Sequence, residues 1–340
     1  MRPATPQVLI VEPDVALQSA VASWLEGAGY DCMPVSDAEE ALAIAEDEEA
    51  DVALVSSPVA SWSTSHLAVA LQARDEDLPV IVVRNDGDTR GRRRAGAVEE
   101  IPAPLTRGTV MHAVVRALEW REWTPGDREH YLHVERSVAA QAALVRDACL
   151  SEPCSTDGLV AGLVAFVDRR IPGSHARADR VRAISSALGA AIGLDRVALA
   201  SLEQAAALQG LGQALLPPPL RQAEATLAGI EAALVRRLPE VVHGLLVHVP
   251  ALRSVAQLIY ASHERFDGTG HPRGLGGLEI PMGARVIGLA RAIEQVGGGV
   301  DGVTPVLGAD VVRRAGAEFD PDLVRVWLRL AERAAVSALH

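Results

Sequence analysis

Short apolar runs alternate with helically spaced apolar residues over the first third of the chain. Val8 to Val11 is unbroken apolar sequence of the kind that fills a buried parallel strand. Val15, Leu17, Val21 and Leu25 then recur at helical spacing, and Gly27 and Gly29 end that helix. Cys32 to Val35, Val52 to Val55, Val80 to Val83 and Glu99 to Ile101 predict four more strands. Asp37 to Glu48 reads as a helix with Ser36 or Asp37 at its N-cap, and helices fill the other gaps. Alternation of strand and helix predicts a doubly wound α/β domain over residues 1–121.

The pattern breaks at Trp120 to Asp127 (WREWTPGD), where Pro125 and Gly126 interrupt it. A helix is then predicted from Asp127 or Arg128 to Leu150. Its stripe of Leu132, Val138, Ala142 and Val145 either pairs with a second copy of the chain or packs on its own domain. The first reading makes the protein a homodimer through this helix. Ser151 to Thr156 is a second break, so residues 122–156 form a helical linker. From Asp157 the chain reads as nearly all helix. Predicted segments are Gly158–Arg169, Ala178–Ile192, Val197–Gln209, Ala223–Arg236, Val255–His263, Met282–Val296, Ala309–Gly316 and Pro321–Val336. Residues 157–340 are therefore expected to be an all-α bundle.

Composition narrows the function classes. Hydrophobic residues are 49% of the 340 and aromatics 3%, so the cores are built from aliphatic side chains. A net charge of -12 argues against nucleic acid as a partner. Every basic residue counted under Lys+Arg is arginine, so no site here can use a lysine. Cys32, Cys149 and Cys154 have no metal-ligand spacing and read as reduced thiols. The start of the chain has no apolar core of a signal peptide, and no apolar run approaches the ~20 residues that span a bilayer. A cytoplasmic protein without membrane contact is expected.

The first domain resembles the receiver domain of bacterial response regulators. That resemblance implies an acidic, Mg²⁺-holding cluster after strand one and a phospho-accepting Asp at the end of strand three. It also implies a hydroxyl after strand four and a Lys before a Pro after strand five. Here those positions read Glu12-Pro13-Asp14, Ser56, Arg84 and Ala103, the last before Pro104. A serine hydroxyl without a base or metal is a poor phosphate acceptor, so a pseudo-receiver is expected. Modification of Ser56 or Ser57 by an unrelated kinase is the alternative. Arg90 to Arg94 (RGRRR) reads as a solvated face or as a docking surface for an acidic partner.

The glycine-rich stretch His263 to Val286 (HERFDGTGHPRGLGGLEIPMGARV) links two predicted helices. It resembles the signature loop of the HD-GYP family, most of whose members are metal-dependent cyclic di-GMP phosphodiesterases. Gly193-Leu194-Asp195 and the FDPDLV stretch Phe319 to Val324 match that family's turns and helix starts as well. The resemblance implies a cluster of two or three metal ions, held by His and carboxylates from several helices. Carried over position by position, the ligands fall on Arg177, Gln209, Gly210, Leu238, Ser262, His263 and Arg291, and the following lysine on Gln213. Only His263 remains of that shell. Guanidinium groups at Arg177 and Arg291 would repel a cation. His271 stands where the family's signature has tyrosine.

Rescue by His175, His243, His248, His271, Asp179, Glu240 or Glu294 would require relocated ligands. His243 and His248 do not sit at i, i+4. Arg177 and Arg291 could hold an anion where metal-bound phosphate sits in the family. Alternatively they pair with internal acids such as Asp179 or Glu294. The sequence thus predicts a non-catalytic signalling protein with no cofactor, acting through protein contacts. Its loop, Gly268, Gly270, His271, Pro272 and Gly274 included, would be the docking surface. Resemblance makes proteins with diguanylate cyclase (GGDEF) domains the candidate partner. The alternatives are a cyclic di-GMP phosphodiesterase with rearranged ligands, a metal-free second-messenger sensor and, weakest, a DNA-binding protein, for which no recognition helix is visible.

Overall fold

The computed structural model describes residues 5–47, 50–56, 59, 62–84, 97–151, 155–222, 228–297 and 305–337. Ser57, the Arg90 to Arg94 run, Cys154 and the start of the helix expected from Ala223 lie outside them. The chain divides into two compact units, Met1–Arg128 and Glu129–His340.

In the first unit β1 (Gln7–Val11) leads to α1 (Val15–Glu26), then β2 (Asp31–Val35), α2 (Ala38–Glu46), β3 (Val52–Val55) and α3 (Thr64–Arg74). β4 (Val80–Arg84), β5 (Glu99–Pro102) and α4 (Arg107–Glu122) complete it. All pairings are parallel, in the order β2-β1-β3-β4-β5. This is the doubly wound, receiver-like α/β fold that the alternation predicts. The two-residue period of a strand explains the two cores. Leu9, Val11, Ala53, Val55, Val80 and Val82 face one way, onto α2 and α3. Val8, Ile10, Val52, Leu54, Ile81 and Val83 face the other, onto α1 and α4.

The connecting helix α5 (Pro125–Ser151) starts earlier than expected. Pro125 and Gly126 do not break it; they form its first turn. Proline at the first helical position loses no hydrogen bond, because that N–H has no partner in any helix. Thr124 and Asp127 cap the turn reciprocally, Asp127 N–H to Thr124 Oγ1 at 3.2 Å and Thr124 N–H to Asp127 Oδ2 at 3.0 Å. Arg128 fixes the helix start to the first unit, donating to Trp120 O (3.2 Å), Arg121 O (3.1 Å) and Asp77 Oδ1 (2.8 Å). Further along, Tyr131, Val134, Val138 and Ala142 are the buried stripe, while Leu132 and Val145 are half-buried.

The second unit is helical, as its periodicity predicts. It comprises α6 (Thr156–Arg170), α7 (Ser174–Ala191), α8 (Arg196–Ala207), α9 (Leu211–Leu215), α10 (Pro218–Gln222), α11 (Gly229–Arg236) and α12 (Leu238–Leu246). α13 (Arg253–Ala261), α14 (Met282–Gln295), α15 (Pro305–Arg313) and α16 (Pro321–Ser337) follow. α7 packs on α8 and α14, and α12 on α13. The short helices α9 and α10 and the Pro239-containing α12 are absent from the predicted segments. Five residues are too few to show a 3.6-residue period, and Pro239 sits within the first turn, where it is tolerated. Among the described residues no helix is long and apolar enough to cross a membrane.

Candidate functional site

The loop between α13 and α14 is built around one carboxylate. Glu264 is buried and accepts the backbone N–H groups of Arg273 (2.8 Å) and Leu275 (3.1 Å). Gly270 crosses directly over the Glu264–Arg265 backbone, so close that no side chain fits between them. Gly268 has φ +81°, a left-handed conformation that favours glycine. Leu275 packs on Ala261, Ile280 and Ala284 beneath the loop. The far side is tied to the segment before α16: Phe266 N–H donates to Glu318 O (3.2 Å) and Asp267 N–H to Ala317 O (2.8 Å). Arg265 donates to Glu318 Oε2 at 3.0 Å.

Burial pushes the Glu264 carboxyl up to about 7, against the pull of the backbone donors and of Arg273. A carboxyl raised in the folded state binds its proton more tightly there than in the unfolded chain. This group's contribution is therefore fully present below about pH 4.5 and lost as pH rises through about 7. In melts across that window, Glu264→Gln should remove part of the decline seen in the parent protein. An unchanged slope would mean that Glu264 titrates normally.

Beside the loop lies a cavity of about 240 Å³. Its wall includes Ser262, His263, Gly270, His271, Arg285 and Arg291. Arg291, on α14, places Nη1 3.0 Å from His263 Nε2. A guanidinium can only donate, so Nε2 accepts and the ring proton sits on Nδ1. Burial, Arg291 and His271 together hold the His263 imidazole well below its ordinary pKa, hence neutral. The His263 and His271 rings are 5.2 Å apart between centroids.

Of the positions singled out in the sequence, Ser262, His263, Gly270, His271 and Arg291 meet at this cavity. Ser262 is buried and donates to Ile259 O at 2.9 Å. Arg177, Gln209, Gly210 and Leu238 do not line it. Arg177 pairs with Glu294 on α14 at 3.0 Å, and Arg180 shares that carboxylate at 2.7 Å. The Gln209 amide is turned toward Ala205 O at 3.5 Å. Gly210 begins α9, with Val167 Cγ1 3.0 Å from where its Cβ would lie. Leu238 is buried at the start of α12. His175 lies 3.4 Å from Asp179. His243 stacks on Tyr260, with centroids 4.6 Å apart, and its ring bonds Gln257 at 3.0 Å. Among the described residues no three His, Cys, Asp or Glu side chains come together as a metal-holding group. The described donor set therefore does not fit a di- or trinuclear metal cluster, and a guanidinium stands beside the His263 imidazole.

Sequence reasoning missed three parts of the site. Nothing in the sequence around Glu264 signals that it carries the loop. Arg285 and Asp320, paired at 2.5 Å in the cavity wall, are 35 positions apart. Arg265 and Glu318 are likewise brought together only by the fold.

In the receiver-like unit, Ser56 is buried at the end of β3 and its hydroxyl donates to the Glu12 carboxylate. Glu12 also accepts the Asp14 N–H at 2.7 Å. Asp14 caps α1, accepting from Ala16 N at 2.8 Å and Leu17 N at 3.3 Å. Both acids are thus engaged in local hydrogen bonds. Arg84 lies 3.8 Å from Glu100, and Ala103 packs against the α1–α4 core.

Residues 163–321, in the C-terminal half, match the family described as HD domain. Over 332 residues the chain is 22% identical to a cyclic di-GMP phosphodiesterase of Thermotoga maritima, covering 95% of this chain and 90% of that protein. It is 23% identical over 224 residues to the cyclic di-GMP phosphodiesterase response regulator RpfG of Xanthomonas campestris, spanning 63% of this chain and 56% of RpfG. Among solved structures, a signal receiver domain of an HD domain-containing protein from Pseudomonas fluorescens matches 38% of this chain and 96% of its own length. Its TM-score is 0.33 at 16% identity.

Proposed function

We propose that this chain is a non-catalytic regulatory protein of cyclic di-GMP signalling, acting through protein contacts. The names of its relatives support the pathway. The observation that carries the non-catalytic reading is the Arg291 guanidinium, 3.0 Å from His263 Nε2 at the position of a metal ligand. A permanent cation there opposes a divalent ion more strongly than a missing ligand would. The hydrogen-bonded Ser56–Glu12 pair supports the same reading for the receiver-like unit.

The partner surface in this proposal is the loop around Gly268, Gly270, His271, Pro272 and Gly274. Its frame is tied by the Glu264 hydrogen bonds to Arg273 and Leu275, and its tip presents Leu278, 80% exposed, with Met282 partly exposed beside it. A protein with a diguanylate cyclase domain is the proposed partner. Self-association through α5 is proposed as well; exposed Leu144 and Leu150 on that helix support it.

The second reading, a phosphodiesterase with rearranged ligands, is favoured by the relatives' activity. Metal analysis separates the two. After incubation with Mn²⁺, Fe²⁺ or Zn²⁺ and desalting, the protein should retain far less than one equivalent of metal and leave cyclic di-GMP intact. One or more tightly held equivalents, together with hydrolysis, would replace the first reading with the second.

A further inference from the structure

Several arginines of the second unit face acids: Arg177 and Arg180 share Glu294, Arg237 pairs with Glu135 and Glu240, and Arg285 pairs with Asp320. Arg170 and Arg221 differ. Arg170 ends α6, Arg221 lies on α10, and both donate to one backbone oxygen, Leu216 O, at 3.4 Å and 2.6 Å. A carbonyl has two lone pairs, enough for both bonds, but its partial charge cannot balance two full ones. Among the described residues neither guanidinium is paired with a carboxylate. Arg170 Nε–H is buried with no acceptor. The Arg170 guanidinium carbon lies 5.6 Å from the Phe166 ring centroid, a contact that orients the group. Burial and the neighbouring Arg221 charge both pull the Arg170 pKa below its usual value. Two like charges are thus held side by side in a chain whose net charge is -12. Both side chains are half-buried, and Pro218 and Pro219, ahead of Arg221 on α10, are exposed.

We propose that the Arg170–Arg221 pair is a docking site for an acidic segment of a partner protein, whose carboxylates bring the missing counter-charge. Fork-shaped donors match carboxylate oxygens with short, charge-assisted bonds. A single free anion gains little at a half-exposed site, where water competes for it. A segment with several carboxylates gains more, because binding the first holds the next close by. Opposite charge also selects among partners and speeds their encounter. The inference rests on the protein-contact reading and adds to it a surface other than the glycine loop.

The test is fluorescence anisotropy of a labelled hexaglutamate peptide, titrated with the full chain at low ionic strength, where charge pairs are least screened. The peptide should bind, and loss of a charge-assisted contact should make Arg170→Gln and Arg221→Gln each weaken binding about tenfold or more. Arg170→Lys, which keeps charge but not the fork, should fall between, and it keeps the comparison valid should Arg170→Gln misfold. Arg253→Gln removes the same charge from an exposed position on α13 and should bind as the parent does. No peptide binding, or an equal loss from Arg253→Gln, overturns the site. Inorganic phosphate that displaces the peptide at equimolar concentration would make this a small-anion site and overturns it too. Glu224, three positions after Arg221 and outside the described residues, is the internal alternative as counter-ion. Binding that appears only in Glu224→Gln therefore overturns the proposal. Failure of the protein-contact reading itself would show separately, as retained metal and hydrolysis.

Discussion

Asp320→Ala should lower the melting temperature of the helical unit by roughly 6–20 °C, the effect of about 3–5 kcal/mol at about 2–4 °C per kcal/mol. Asp320 Oδ2 is 2.5 Å from Arg285 Nη1, and the two side chains are only 5% and 8% exposed. Removing one partner of a buried pair strands the other charge away from water, which is the costly case. Asp320 also accepts the Asp322 N–H at 2.8 Å, capping the first turn of α16, and a lost cap adds about 1 kcal/mol. Asp320→Asn retains a cap acceptor and some of the bond to Arg285, so it should fall between the parent and alanine. A loss below about 1 kcal/mol for the alanine variant would mean that water reaches Arg285 once the carboxylate is gone. Arg285 still donates to Ile280 O at 2.9 Å, which tempers the effect without replacing the lost charge.

Gly270→Ala should cost about 3 kcal/mol or more, at the upper end of the range for overpacking. A Cβ at this position would lie 2.5 Å from Glu264 C and Cα. The obstacle is backbone, which cannot rotate aside as a side chain can. The helical unit should then melt roughly 6–12 °C lower. Gly276→Ala is the matched control, since its nearest neighbours are 3.5 Å away, at ordinary contact distance. Equal melting of the two variants would show that the loop yields at Gly270 and that its frame is softer than its hydrogen bonds suggest.

The strands of the first unit were legible because a parallel strand buried on both faces leaves a four-residue apolar run that little else produces. Val8 to Val11 and Val52 to Val55 needed no further context. The connector start was not legible, because proline marks both a break and a first helical position. Thr124 and Asp127 were the local signal that decided it. In the site, His263, Ser262 and Arg291 were found through a resemblance that spans the loop and the helices beside it. Arg177 and Arg291 read alike in the sequence. Only the fold gives one to Glu294 and the other to His263. The Arg285–Asp320 pair left no local trace, since periodicity reports which face of a helix is buried and not what meets it there.

The way Glu264 holds the glycine loop bears on how this surface can change through descent. Its two oxygens grip main-chain N–H groups of Arg273 and Leu275, which every residue except proline supplies. The exposed tip position Leu278 is thus freed from specifying the loop's course through its own packing. Substitutions there can accumulate, and redirect what the surface recognises, while its shape is inherited unchanged.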